Sequence, residues 1–281
     1  MAPLACGRKA RRMKGFFKIM SEIQNAKRIV IKIGSSTLTY SNGKPNYRKI
    51  EHIARVVADL QNSGKQVVLV SSGAIAVGVG RLGLKKRPTA TRDKQAAAAI
   101  GQCDLMSLYD RSFAEYGYVP AQILITREDI DHDERRYNVT NTIEALLEMN
   151  AIPIINENDS VSCEEIVVGD NDRLSAIVAN LAGAEALVIM TDIEGYYDSD
   201  PRKNPDARLV HRVDFITDEM LNAAGGNGTD RGVGGMKTKL EAARFATQRG
   251  IMVSILSGDT PERLYDLFDG RCVGTLFTAK K

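Results

Sequence analysis

Two clusters of amide and acidic side chains have residue types and a spacing that suggest chemistry. The first, Asn156 to Asp159, follows the apolar run Ile152 to Ile155, and the second, Gly169 to Asp172, precedes a stretch of helical pattern. The run predicts a buried strand, and ligands of open α/β sheets bind beyond the C-terminal ends of strands. Two ordinary loops with a helix cap are the alternative, since Asn and Asp favour turns and caps. Because two clusters about a dozen residues apart exceed what capping needs, we expect a binding site.

A lysine close to the end of a predicted core strand is the next candidate. Lys32 lies in residues 28–33, RIVIKI, whose alternation predicts a short strand. A buried ammonium group is costly unless it faces an anionic partner. A lysine on an edge strand that reaches solvent is the alternative. We therefore expect Lys32 to have a negatively charged neighbour or ligand.

Small residues follow two of the predicted strands. Residues 28–33 run into Gly34, Ser35 and Ser36, and the strand 66–70 runs into Ser71-Ser72-Gly73-Ala74. Bare backbone N–H groups in such turns can point at an anion. If the two strands are neighbours, their turns predict a cradle for an oxyanion.

A glycine-rich segment, Gly225 to Gly235, leads into Met236-Lys237-Thr238-Lys239 and a predicted helix. Backbone amides, the helix dipole and ammonium groups together favour a phosphate at such a position. The segment matches neither the GxxxxGK[ST] motif nor a protein-kinase set, and a dinucleotide fingerprint at Gly78-Val79-Gly80 lies too far from its strand. A surface loop without function is the alternative.

The elements that must position these residues alternate along the chain. A helix at 47–60 between the strands at 28–33 and 66–70 predicts a parallel crossover, and the alternation continues to the C-terminal part. It predicts a parallel sheet covered on both faces. The hairpin-like excursion Ser160 to Val168 separates the two polar clusters. The further strands are predicted at 119–125, 152–155, 187–190, 251–256 and 274–277, and the further helices at 93–115, 137–149, 174–181, 217–224, 236–246 and 261–268.

Composition excludes several classes. With 281 residues, 43% of them hydrophobic, the chain can bury a large α/β core, and no apolar run reaches the roughly eighteen residues of a membrane span. A formal charge of +3 argues against a broad nucleic-acid-binding face. The four cysteines and three histidines are scattered, so neither a zinc site, a disulfide framework nor histidine chemistry is indicated. A reducing compartment, the cytoplasm, fits best.

The first residues differ from the rest of the chain. Residues 1–27 carry a basic excess in their first twenty positions, and we expect a disordered extension rather than a transit peptide, because a clear amphipathic stripe is missing.

Taken together, the motifs resemble the amino acid kinase family, and within it the enzymes that phosphorylate glutamate. The resemblance covers residues 28 to 280 in order, and the segments that carry it are KIGSS from Lys32, SSGAIAVG from Ser71, NENDSV with GDNDRLSA, TDIEGYYDSDP from Thr191, and GVGGMKTK from Gly232. It implies an α/β fold, a three-layer αβα sandwich with a mainly parallel central sheet. It also implies a glutamate-binding lobe at about 28–183, an ATP-binding lobe at about 184–281, and no C-terminal PUA domain.

The implied reaction is transfer of a phosphoryl group from ATP, with Mg²⁺, to the γ-carboxylate of L-glutamate, the first step of proline biosynthesis. Lys32, Asp172 and Lys239 are the implied catalytic residues, and Ser72, Gly73, Asn156, Asp159 and Asn171 the implied glutamate-binding residues. The implied ATP-binding residues are Lys32, Gly34, Ser35, Thr191, Asp192, Val233, Gly234, Gly235, Met236, Lys237, Thr238 and Lys239. No protein ligand is expected for Mg²⁺, which phosphates and water would coordinate.

Family membership further implies a homo-oligomer, a dimer or tetramer, inhibition by proline, and a transient contact with glutamyl phosphate reductase. Neither nucleic acid nor membrane is an expected partner. The alternatives are a related kinase acting on aspartate, acetylglutamate or a nucleoside monophosphate, and a catalytically silent sensor of the same fold. The presence of both lysines and Asp172 argues against the sensor.

Overall fold

The computed structural model describes residues 22–161, 171–225 and 235–280, and within them one sheet of eight strands organises the molecule. The strands are β1 (Arg28–Ile33), β2 (Gln66–Ser71), β3 (Pro120–Ile125), β4 (Ile152–Glu157), β5 (Ala186–Thr191), β6 (Arg212–Val213), β7 (Met252–Ser257) and β8 (Thr275–Phe277). Their spatial order is β3-β4-β2-β1-β5-β7-β8-β6. All neighbours pair in parallel except β7 and β8, so the sheet is mainly parallel, as predicted.

Helices cover both faces of this sheet. They are α1 (Ser35–Leu38), α2 (Tyr47–Asn62), α3 (Ala74–Arg81), α4 (Thr91–Ala114), α5 (Arg127–Asp131), α6 (Asp133–Glu148), α7 (Asn171–Leu181), α8 (Asp218–Ala223), α9 (Met236–Thr247) and α10 (Arg263–Phe268). One buried cluster joins α2, α4 and α10 to the sheet, and a second joins α6, α7 and α9 to the opposite face. The three-layer αβα sandwich is therefore confirmed.

Alternation along β1 decides which way Lys32 points. Ile29 and Ile31 belong to the cluster under α2, whereas Val30 belongs to the cluster under α7 and α9. Successive side chains of a strand face opposite sides, so Lys32 shares the face of Val30. The strand thus directs this ammonium group towards α7 and α9.

Two glycines allow an unusually close contact between α3 and α4. A Cβ atom on Gly78 would lie 1.8 Å from the carbonyl oxygen of Ala97, and one on Gly101 would lie 1.8 Å from that of Ala74. Any side chain at either position would therefore force the helices apart. The contact fixes the start of α3, directly after the Ser72-Gly73 turn, against the middle of α4.

Several boundaries differ from the sequence-based predictions. The small residues after β1 form one turn of helix, α1, rather than a tight turn. Helix α3 was not predicted because its glycines weaken the helical periodicity, and strand β6 was not predicted because it has only two residues. The helix predicted from 137 begins at Asp133. Ile23 and Ala26 are buried in the core, so the folded part of the chain extends into the segment predicted as a disordered extension. Residues 1–21 lie outside the described residues.

The chain order places a crevice at the C-terminal ends of the strands. In the sheet, β2 and β4 lie on one side of central β1, and β5 and β7 lie on the other side. Adjacent loops that lead in opposite directions leave a gap, where ligands of open α/β sheets bind. Within the described residues, no helix combines the length and the apolar character needed to cross a membrane.

Candidate active site

A cavity of about 490 Å³ opens at this crevice and collects most of the predicted site residues. The predicted residues that line it are Lys32, Gly34, Ser35, Ser72, Gly73, Asn156, Asp159, Asn171, Thr191, Asp192 and Lys239. They come from the ends of β1, β2, β4 and β5 and from the first turns of α7 and α9. Residues that are far apart in sequence therefore share one concave site.

Two lysines and one aspartate form a buried ionic cluster at the wall of the cavity. The Lys32 Nζ lies 2.6 Å from Asp172 Oδ1, and the Lys239 Nζ lies 2.9 Å from Asp172 Oδ2. The aspartate side chain is 0% exposed, and the two lysine side chains are 6% and 7% exposed. Because each carboxylate oxygen faces a different ammonium group, Asp172 holds the two cations side by side.

Local structure explains this placement. Asp172 lies in the first turn of α7, where the helix dipole favours an anion, and its buried neighbours Leu174 and Ala176 hold α7 on the sheet. Lys239 lies in the first turn of α9, whose buried Leu240 and Ala243 pack on the same face. The two helix starts therefore meet over Lys32. The cluster carries one more positive charge than negative and suits an anionic ligand.

A second set of contacts links amide side chains across the cavity floor. Asn171 Nδ2 lies 2.8 Å from the Ser71 carbonyl oxygen, 2.9 Å from Ser72 Oγ and 2.9 Å from Asn156 Oδ1. An amide nitrogen carries only two hydrogens, so these three acceptors already use its donor capacity. Asn171 therefore offers a ligand its oxygen, which suits an ammonium group and not a carboxylate.

Helix α4 supports this network from behind. Asn156 Nδ2 donates to Gln102 Oε1 at 2.9 Å, and Ser71 Oγ lies 3.0 Å from the Tyr109 hydroxyl. Gln102 and Tyr109 are seven positions apart, about two helical turns, so both face the sheet. Burial raises the pKa of Tyr109, which stays neutral and shares a hydrogen bond with Ser71.

Asp159 occupies a half-buried position at the edge of the cavity. Burial raises the pKa of its carboxyl group, and the positive charge of Arg87 opposes this shift. Desolvation favours the neutral acid, so the ionised form is costly in the unliganded protein. A bound ammonium group would compensate for that cost.

We expect Asp159→Asn to raise the melting temperature of the unliganded protein at neutral pH. Folding raises the pKa of the Asp159 carboxyl group, so its ionisation destabilises the folded state. This loss of stability begins as pH rises above the ordinary carboxyl pKa of about 4, and it persists at higher pH. The difference from the wild type should therefore vanish below that pH. Thermal unfolding across pH tests this, with exposed Asp206→Asn as control. A variant that melts below the wild type at neutral pH would contradict it.

The structure places the predicted ATP-binding residues at different distances from the cavity. Thr191 is buried, its hydroxyl lies 3.1 Å from Asp192 Oδ1, and its carbonyl oxygen accepts from the Gly258 N–H at 2.7 Å. Thr238 Oγ1 lies 3.4 Å from Asp172 Oδ2. Gly235 precedes α9, and Met236 and exposed Lys237 begin it, without lining the cavity. Val233 and Gly234, like Gly169, Asp170 and most of the predicted excursion Ser160 to Val168, lie outside the described residues.

Sequence reasoning missed several residues of the site. Lys85, Lys86 and Arg87 line the cavity as a basic run, a signal that was present in the sequence. Buried Glu157, a member of the predicted cluster Asn156 to Asp159 to which no role was assigned, also lines it. Gln102 lies within an alanine-rich helix pattern that gives no indication of its role. Its contact with Asn156 depends on how α4 packs.

The donor groups of the site bear on metal binding. Within residues 22–161, 171–225 and 235–280, the His, Cys, Asp and Glu side chains form no group of three that could hold a metal ion. Both oxygens of Asp172 are engaged by lysines. Mg²⁺ usually retains several waters and binds through substrate phosphates.

The excess of positive charge at the cavity wall suits an anionic ligand, and similarity to known proteins gives the class of this chain. A model of the amino acid kinase family matches residues 27–257. The chain belongs to the amino acid kinase family.

Two curated relatives that match this chain over most of its length carry the same name. The "Glutamate 5-kinase" of Clostridium perfringens is 51% identical over 263 residues, covering 92% of this chain and 98% of that protein. The "Glutamate 5-kinase" of Geobacter metallireducens is 51% identical over 255 residues, covering 91% of this chain and 68% of that protein.

Solved structures show the same fold at low sequence identity. Carbamate kinase from Giardia lamblia bound to AMP-PNP has a TM-score of 0.63 and 18% identity, covering 92% of this chain and 100% of that chain. Isopentenyl phosphate kinase of T. acidophilum has a TM-score of 0.60 and 19% identity, covering 89% of this chain and 99% of that chain. These two structures have the same fold as this chain.

Proposed function

We propose that this chain transfers the γ-phosphoryl group of ATP to the γ-carboxylate of L-glutamate, giving γ-glutamyl phosphate and ADP, the first step of proline biosynthesis. The observation that carries the proposal is the buried cluster of Lys32, Asp172 and Lys239, which lies at the wall of the cavity that also contains Asn171 and Asp159. The name shared by relatives about half identical to this chain supports the substrate.

The chemistry of the acceptor agrees with the residues present. A glutamate side-chain carboxyl group has a pKa of about 4.3, so it is ionised at neutral pH and attacks without a general base. The O–P bond to the carboxylate forms as the bond from the γ-phosphorus to the bridging oxygen of ADP breaks. Catalysis then depends on alignment and charge stabilisation. A site of two lysines without a histidine base is suited to this reaction.

The lysines act on the charge of the transferring group. Asp172 holds both Nζ atoms in place before substrates bind, so little reorganisation is needed when negative charge develops on the phosphoryl oxygens. Lys32, from the end of β1, and Lys239, from the start of α9, contact that group from two sides. Backbone amides near Gly34, Ser35 and Gly73 complete the cradle.

The remaining polar groups recognise glutamate. Asp159 and the Asn171 side-chain oxygen accept hydrogen bonds from the α-ammonium group, and Ser72 and Asn156 hold Asn171 in that orientation. ATP occupies the other side of the crevice, near Thr191, Asp192 and α9, with Mg²⁺ carried on its phosphates. The chain thus has a glutamate-binding part at about 28–183 and an ATP-binding part at about 184–281.

An ATP-dependent hydroxamate assay tests the function. Hydroxylamine traps acyl phosphates, so signal is expected with glutamate and not with aspartate or acetylglutamate. Signal with another acceptor would assign the chain to a different branch of the family. Absence of signal with every acceptor, in a protein that binds ATP, would support a catalytically silent sensor.

The turn after β2 offers a further test. Gly73 has a φ of +95°, where an L side chain is strained, and Gly64 has a φ of +88° in an open turn away from the site. We expect Gly73→Ala and Gly64→Ala each to cost about 1–2 kcal/mol of stability. Only the first should also lower kcat, by roughly tenfold or more, because it moves Ser72 and the cradle amides. Equal kcat values in both variants, measured below their melting temperatures, would contradict the role of the Gly73 turn in binding the transferred phosphoryl group.

Feedback and assembly complete the proposal. Proline inhibits the enzyme by competing in the glutamate region, and a flat response of activity to proline would refute this.

The chain assembles as a dimer or tetramer in the cytoplasm and passes its labile acyl phosphate to glutamyl phosphate reductase. Sedimentation measures the oligomeric state. Transfer of the acyl phosphate to the reductase in the presence of excess hydroxylamine measures whether the product is passed on directly.

A further inference from the structure

The hydrogen bonds of the cavity floor form a chain with a definite direction. It begins at the Ser71 carbonyl oxygen, which can only accept, so Asn171 must present Nδ2 to it. Asn156 must then present Oδ1 to Asn171, and its Nδ2 points to Gln102 Oε1 at 2.9 Å. An amide rotated by 180° at any step would place two donors or two acceptors against each other. Gln102 is therefore the acceptor that ends this chain of amides.

Gln102 is held where it can serve this purpose. It is 7% exposed, and its neighbour Gly101 lets the α4 backbone approach the Ala74 carbonyl oxygen directly after the Ser72-Gly73 turn. The Gln102 Nε2 is buried and has no hydrogen-bond partner within the described residues. A buried glutamine with an unpaired amide nitrogen is costly, and among the described residues the Gln102 oxygen accepts a hydrogen bond only from Asn156.

We propose that Gln102 is a positioning residue that sets the specificity of the site for a substrate with an α-ammonium group. By accepting from Asn156, it fixes the orientation of Asn156 and, through it, keeps the Asn171 oxygen directed at the ligand. Gln102 itself does not contact the substrate. This inference rests on the proposed function, because it assigns the recognised group to glutamate.

The test compares glutamate with glutarate, which has the same carboxylates and lacks the ammonium group. In Gln102→Met, which keeps the volume and removes the acceptor, we expect the KM for glutamate to rise roughly tenfold. The Ki of glutarate as a competitive inhibitor and the KM for ATP should stay within about twofold. Gln102→Ala is tested in the same way in case the methionine variant does not fold.

Two further variants separate positioning from loss of structure. Gln102→Glu keeps an acceptor oxygen and is expected to retain the preference for glutamate over glutarate. Gln61→Met removes a different buried glutamine, whose Oε1 accepts from the Val67 N–H at 3.0 Å, and should lower stability without changing that preference.

Equal changes for glutamate and glutarate in Gln102→Met, or the same loss in Gln102→Glu as in Gln102→Met, would overturn the positioning role. A wild type that does not phosphorylate glutamate would instead refute the proposed function.

Discussion

Replacing Asp172 with asparagine should lower kcat by roughly a thousandfold. The carboxylate is fully buried between two ammonium groups, 2.6 Å from one and 2.9 Å from the other. An asparagine would turn its NH₂ towards one lysine and leave the two cations facing each other. Both lysines would then lose the position from which they stabilise the transferring phosphoryl group.

The same change should lower the free energy of unfolding by about 3–5 kcal/mol, because removing one member of a buried ionic cluster leaves charges uncompensated. Asp218→Asn is the matched control, since it breaks an exposed pair with Arg244 and should cost less than about 1 kcal/mol. Hydroxamate formation and chemical denaturation measure the two effects. A kcat for Asp172→Asn within tenfold of the wild type would show that Asp172 does not organise the site.

Lys239→Ala is expected to lower kcat by roughly a hundredfold to a thousandfold, while the KM for glutamate changes by less than about threefold. The ammonium group lies at the start of α9, at the wall of the cavity, 2.9 Å from Asp172 Oδ2. In the proposed reaction its charge acts on the transition state, so we expect it to contribute little to holding glutamate. Removing it lowers the rate of the chemical step.

Arg244→Ala provides the control for Lys239→Ala. It removes a cation from the same helix, and its guanidinium pairs only with exposed Asp218 among the described residues. We expect its kcat to remain within about twofold of the wild type. If both variants lost activity equally, the loss would reflect the helix or its charge in general, and an unchanged kcat for Lys239→Ala would exclude the assigned role.

Much of the fold was predictable because the decisive signals are local. The alternation in RIVIKI places β1 at Arg28–Ile33, as the structure has it, and the apolar run from Ile152 places β4. Where signals were weak the predictions were incomplete. Glycines at 78 and 80 conceal the helical pattern of α3, and two residues of β6 are too few to show any alternation.

The sequence by itself determined the order of most strands and helices, the mainly parallel sheet and the types of residue at the candidate site, since these follow from periodicity, turn chemistry and short motifs. Only the tertiary structure decided which groups meet. Asp172 and Lys239 are 67 residues apart, and Gln102 and Asn156 are 54 apart. Such contacts depend on strand order, on the face to which Lys32 points and on the close approach of α3 to α4. No local pattern encodes these, because packing of the whole core sets them.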